Sequence, residues 1–230
     1  MLLVFLVPAA IAKNPVGPFY KIREFVLHTK TTNNAGVFSC SATAIGPSVI
    51  LTATHCERPG GVLSILRYGS PSYQPVEVVS VIRDKADHSV LFLKGIVFEK
   101  YARFTGEHPE IGQVVYVLGF PDVANFQYRM GIVASMDVKG LPIFDGLPSF
   151  LVGILSYVGD SGSAIFDDNG DIVGVVSFGT PHLALGALMF RFTADELISI
   201  TDGVLPISVA TGLYSLGRHL IDPVVANLET

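Results

Sequence analysis

Basic runs, long apolar runs and metal-binding spacings are all missing from this 230-residue sequence. Its 15 Lys and Arg residues are scattered among 20 Asp and Glu, for a formal net charge of −5. Such a surface has no cationic footprint for nucleic acid or an anionic bilayer, so neither is an expected partner. Mean hydropathy is high at +0.52. Even so, no window reaches about 18 uninterrupted apolar residues, and stable membrane insertion is not expected. The two cysteines and six histidines lack the paired spacing that supplies the roughly four ligands of a zinc site, so no metal is expected.

What is present is a chain that is 50% hydrophobic and 15% charged, with 23 Gly and 14 Pro spread along it. That mixture implies many short strands joined by tight turns. Period-two patterning predicts strands at 23–29, 36–45, 48–53, 62–67, 75–83 and 88–93. A second set of similar size follows the 95–112 connection, at 113–119, 127–136, 149–155, 163–167, 171–178 and 186–192. One short helix is expected over 193–201, with Thr193 as N-cap, Glu196 as its capping-box partner, and Leu197 and Ile200 on one face. Residues 202–230 read as a packed tail. Residues 1–12 end in Ala10-Ile11-Ala12, the small-x-small pattern of a signal-peptidase site. The run is short and no Lys or Arg precedes it, so a cleaved leader and a buried first strand both stay open.

Cys40 and Cys56 flank a predicted strand pair, SATAIGPSVILTAT. A hairpin there could bring them together, contributing on the order of 3 kcal/mol as a disulfide and implying an oxidising compartment. Two buried, reduced thiols are the alternative.

Three segments carry chemistry. In YVGDSGSAIF (157–166), Ser161 sits in a glycine-flanked turn before an apolar strand. Glycines there permit backbone angles at which the Gly159 and Ser161 amides converge on a developing oxyanion, where one donor is worth about 2.7–4 kcal/mol. In ILTATHC (50–56), an apolar strand delivers His55 at its end. Histidine is the natural general base, with an unperturbed pKa of about 6.5. In RDKADHSVLFLKG (83–95), Asp87 precedes an alternating strand and could fix the imidazole tautomer, with Asp84 as its local competitor.

In the order His55, Asp87, Ser161, and with THC, DHSVLFL and GDSGSAIF around them, the chain resembles the trypsin/chymotrypsin-like serine protease superfamily over roughly residues 20–200. The resemblance implies an all-β fold of two six-stranded antiparallel β-barrels with a short C-terminal helix. The barrels would span 13–105 and 106–201, after a possible leader at 1–12 and before the tail. It implies a serine endopeptidase that forms an acyl-enzyme on Ser161, needs no cofactor and acts as a monomer on peptide or protein substrates. It also implies a Cys40–Cys56 disulfide and substrate pairing along Ser177, Phe178 and Gly179, with Phe in place of the family's Trp. VYVLGFP and the low cysteine count are closest in style to bacterial glutamyl endopeptidases and viral chymotrypsin-like proteases, so a secreted enzyme and a polyprotein-processing one are both compatible.

By the family's spacing the specificity pocket has Leu155 as its floor, Ser156 on its wall and Gly179 at its mouth. An apolar floor implies an aliphatic or aromatic residue before the scissile bond, whereas His182 could reach in and select Glu or Gln. No Ile-Val-Gly-Gly activation site is visible, so Asp160 needs a partner other than a trypsin-type new amino terminus. Cleavage after Ala12 would offer the ammonium of Lys13. An α/β-hydrolase is disfavoured because residue 163 is Ser and the chain order is wrong. A binding module that has lost activity is the rival from another class.

Overall fold

The computed structural model describes residues 17–84, 86–104, 108–121, 125–136, 149–180 and 183–187. A helical turn, α1 (Phe19–Ile22), leads into β1 (Val26–Asn33), β2 (Gly36–Gly46), β3 (Val49–Ala53), β4 (Val62–Arg67), β5 (Gln74–Arg83) and β6 (His88–Lys94). These strands close an antiparallel barrel in the order β1-β2-β3-β6-β5-β4. After the connection come β7 (Val114–Gly119), β8 (Gln127–Met136), β9 (Ser149–Gly153), β10 (Ala164–Phe166), β11 (Ile172–Thr180) and β12 (Leu183–Ala187). They close a second barrel in the order β10-β11-β12-β9-β8-β7.

The unbroken apolar runs of β3 and β6 follow from burial on both faces. On β3, Ile50 points into the first barrel with Leu91 and Leu93 of β6. Val49 and Leu51 join Val90 and Phe92 in a larger cluster that continues into the second barrel through Val117, Phe150 and Ile165. One side of the first barrel is therefore the seam between the two, and the residues singled out for chemistry border it.

Among the described residues twelve strands form where twelve were expected, with shifts that have local causes. The first starts at Val26 rather than at residue 23, because Pro18 opens the helical turn α1. Lys21 Nζ then ties that turn across to the second barrel, donating to Asp171 Oδ1 at 3.0 Å and to the Asn169 carbonyl at 2.6 Å. The ninth strand ends at Gly153 rather than 155, and the Leu155 carbonyl accepts a hydrogen bond from Arg129 instead of a ladder partner. The twelfth starts at Leu183 rather than 186, with Leu183 paired to Thr180 of β11. The helix expected at 193–201, the tail, the leader and His182 lie outside the described residues. Among the described residues no helix is long and apolar enough to cross a membrane.

Candidate functional site

β3 ends at Ala53 because the chain there tightens into one 3-10 turn, Thr54–Cys56, with His55 at its centre. Two bonds from the loop before β6 fix that turn. The Thr54 amide donates to the Asp87 carbonyl at 2.8 Å, and the His55 amide to Asp87 Oδ1 at 3.0 Å. The second carboxylate oxygen, Asp87 Oδ2, lies 2.7 Å from His55 Nδ1. The His55 side chain is 40% exposed and that of Asp87 only 11%, so the ring presents its other edge to solvent while its partner is sheltered. Asp87 adopts φ 67°, which only it does among the described non-glycine residues; such a conformation costs an L-residue on the order of 1–3 kcal/mol. Of the two aspartates, Asp87 is the one that meets His55, while Asp84 turns inward onto His88. Below the turn, Thr54 Oγ1 meets Ser89 Oγ at 2.9 Å, and Ser89 donates to Glu57, which also holds Arg83.

Cys40 and Cys56 form a disulfide, which pins β2 to the His55 turn and removes the reduced-thiol alternative. Next to it lies the serine turn. The Ser41 amide donates to the Ser161 carbonyl at 2.8 Å, and the Gly162 amide to Val176 at 2.8 Å. Gly159 and Gly162 have φ 102° and 83°, values that glycine adopts freely. A Cβ at Gly162 would stand 2.2 Å from the Ser41 carbonyl and 2.3 Å from Thr52 Oγ1, so only glycine lets this turn press against β2 and β3. Among the described residues neither the Gly159 nor the Ser161 amide donates a hydrogen bond. The Gly159 carbonyl is turned toward Ser41 Oγ, which donates to it at 2.8 Å and accepts the Phe120 amide at 3.2 Å.

The partner of Asp160 is Arg129 on β8. The Asp160 side chain is 1% exposed and Arg129 12%. Nη1 reaches Asp160 Oδ2 at 2.6 Å and Nη2 binds Oδ1, a fork-on-fork pair. The Tyr157 amide adds a third bond to Oδ2 at 2.9 Å. The expectation that an amino terminus at Lys13 fills this role is corrected: both carboxylate oxygens are already engaged by a strand residue. Gly119 makes room, because a Cβ there would fall 2.7 Å from Asp160 Oδ1. Arg129 was missed in the sequence, although alternation puts it on the buried face of β8 with Gly131 and Val133.

Of the residues assigned to the substrate, Ser156 of the pocket wall and Ser177 of the pairing strand are buried, and Phe178 is 43% exposed; Leu155, expected as the pocket floor, lies instead on the surface at 49% exposure. Tyr157 and Val158 extend that exposed apolar surface beside the serine turn. β10 pairs with β11 only as far as Val175, and the ladder to β12 resumes at Phe178 past a bulge at Ser177. One edge of 177–179 thus lacks a strand partner among the described residues. No group of three or more His, Cys, Asp or Glu able to hold a metal ion occurs among them.

Two closed barrels meeting at such a seam define the chymotrypsin-like fold. A family model for the trypsin-like peptidase domain matches residues 40–175; the chain belongs to that family and is a serine-type peptidase. It is similar to the Rv3671c protease from M. tuberculosis in its active form, at 21% identity and TM-score 0.65, over 86% of this chain and 88% of that one. The HtrA-type protease AlgW with tripeptide gives 17% identity and TM-score 0.65, over 80% and 62%. The serine endoprotease from Yersinia pestis gives 15% and 0.61, over 86% and 65%. This chain spans less than two thirds of the length of the latter two, and at these identities the likeness is one of fold. No curated protein matches the chain.

A buried histidine behind the site gives a pH test. His28 faces Ser41 in the β1–β2 ladder, stacks on Phe120 at 4.3 Å and contacts Tyr73 OH at 2.6 Å through Nδ1. Burial, and secondarily the charge of Lys30, lowers its pKa from 6.5 to about 4. The fold therefore prefers the neutral ring. Its contribution is complete above pH 6.5 and is lost as pH falls toward 4, where the unfolded chain takes up the proton and the native one does not. Between pH 7 and 4.5 the wild type is expected to lose about 2 kcal/mol more stability than His28→Gln in urea denaturation. Parallel losses would contradict the assignment.

Proposed function

We propose that this peptidase is an endopeptidase that cleaves peptide bonds through an acyl-enzyme on Ser161. The observation that carries the proposal is the bond between His55 Nδ1 and Asp87 Oδ2, set against a serine turn that backbone bonds hold to β2 and β11. With Nδ1–H donated to the carboxylate, the other ring nitrogen is left basic. His55 accepts the Ser161 proton as the hydroxyl attacks the scissile carbonyl, then passes it to the leaving amine. Water repeats the sequence in reverse to release the acyl group. Asp87 holds the tautomer and stabilises the imidazolium that forms.

The Gly159 and Ser161 amides are the oxyanion donors, supported by their freedom from other acceptors and by the anchoring of the Gly159 carbonyl on Ser41. The open edge at Ser177–Gly179 takes the substrate backbone as an added strand. The disulfide beside His55 supports work in an oxidising, extracytoplasmic compartment.

Leu155, Tyr157 and Phe178 make the surface next to the serine apolar, which favours an aliphatic or aromatic residue before the scissile bond. Profiling cleavage of a peptide library tests this. Apolar residues at that position should be cleaved at least about tenfold faster than Glu, in line with about 1–3 kcal/mol of apolar burial per side chain. Preferred cleavage after Glu or Gln would overturn the preference while leaving the chemistry intact. Cleavage after Lys or Arg would contradict the pocket altogether.

A further inference from the structure

The aspartate that does not face His55 has a partner of its own. Asp84 and His88, both with fully buried side chains, meet through a 2.7 Å bond between Asp84 Oδ2 and His88 Nδ1. The other oxygen, Oδ1, accepts the Ala86 and His88 amides at 2.8 and 2.9 Å. The Asp84 amide closes the loop by donating to the His88 carbonyl at 3.0 Å. Asp87 lies within that loop at φ 67°, a conformation an L-residue keeps only where its surroundings impose it.

Each side of Asp87 is thereby held by different bonds. On the far side its carbonyl and Oδ1 carry the Thr54 and His55 amides. On the near side, among the described residues, the side chains of Asp84 and His88 close the loop. His88 is in addition the first residue of β6, paired with Ala53, two residues before His55. Relaxing Asp87 out of its left-handed conformation would rotate its carboxylate relative to the imidazole.

We propose that Asp84 and His88 are positioning residues for the reaction: their buried carboxylate–imidazole pair imposes the backbone conformation of Asp87 and with it the aim of Asp87 at His55. The proposal rests on the triad proposed above. Neither residue reaches the surface around Leu155 or Phe178, so their loss acts on proton transfer rather than on substrate binding. A displacement of about 1 Å caused by a change outside the chemistry can cost about 10²-fold in rate.

The test is steady-state kinetics on Asp84→Ala, His88→Leu and His88→Asn, with Ser161→Ala as control. Asparagine can present an amide N–H near the place of Nδ1 and so keep the bond to Asp84; leucine cannot. Asp84→Ala and His88→Leu should lose about 10- to 100-fold in kcat with KM within about threefold, and His88→Asn should stay within about fivefold of wild type. In proton NMR the low-field resonance of the His55–Asp87 hydrogen bond should shift or broaden in folded Asp84→Ala.

Wild-type kcat and an unmoved resonance in Asp84→Ala would overturn the proposal, as would a loss confined to KM or equal losses in His88→Leu and His88→Asn. Should the alanine and leucine variants not fold, His88→Asn is set against His88→Gln, whose amide lies nearer the ring's other nitrogen. Activity kept only by asparagine supports the proposal, and equal rates overturn it. If Ser161→Ala is inactive while Asp84→Ala is normal, the positioning fails and the triad stands; if Ser161→Ala stays active, the triad itself fails.

Discussion

Ser161→Ala is expected to lower kcat by on the order of 10⁶-fold while leaving stability within about 0.5 kcal/mol of wild type. The two effects separate because the serine turn is held by main-chain groups. Its bonds to Ser41 and Val176 use backbone atoms of residues 161 and 162, and alanine keeps them all. The turn's unusual angles fall on Gly159 and Gly162, so alanine at 161 meets no new strain. What is removed is the oxygen proposed to form the acyl bond. His55→Ala should cost about as much, and the double variant little more, because the two act as a unit. A Ser161→Ala enzyme with more than about a thousandth of wild-type kcat would mean that the nucleophile lies elsewhere.

Arg129→Met is the second large effect, and it reads out in both stability and rate. It strands the Asp160 carboxylate, 1% exposed, with the Tyr157 amide as its remaining bond among those described. Breaking one side of a buried pair costs about 3–5 kcal/mol. Asp160 adjoins both Gly159 and Ser161, so its displacement moves the proposed oxyanion donors, and kcat/KM should fall by on the order of 10²-fold. Adding Asp160→Asn removes the stranded charge and should restore most of the stability without restoring the rate. Urea denaturation beside peptide hydrolysis checks both; an Arg129→Met enzyme with wild-type stability and kcat/KM would remove the pair from the account. The same pair supplies Asp160 of the serine turn with a cation from β8 of its own barrel.

The strands were legible because their causes are local. β3 carries the apolar run VIL and β6 the run VLFL, each face filling a different cluster, and turns with Gly and Pro bound them. His55, Asp87 and Ser161 are proposed from their surroundings in the sequence, and the structure brings the first two together at 2.7 Å. As residue types in DKAD, Asp84 and Asp87 are alike; the backbone at φ 67° and the inward turn of Asp84 onto His88 distinguish them. Arg129 was hidden by its neighbours. Met130 and Ile132 look like the inward positions of β8, yet they are the exposed ones, at 65% and 52%, while the arginine faces in. Only the buried carboxylate it meets across the barrel gives it meaning. Ser41 was likewise unreadable, since its value lies in a hydroxyl that bridges Gly159 and Phe120, residues distant in the chain.

The most direct measurement is to treat the enzyme with a fluorophosphonate probe and map the adduct by peptide mass spectrometry. The account predicts a single adduct on Ser161 in the wild type, none on Ser161→Ala, and labelling slower by at least about 10²-fold on His55→Ala, where the general base is gone. Equal labelling of wild type and Ser161→Ala, or an adduct on another residue, would contradict it.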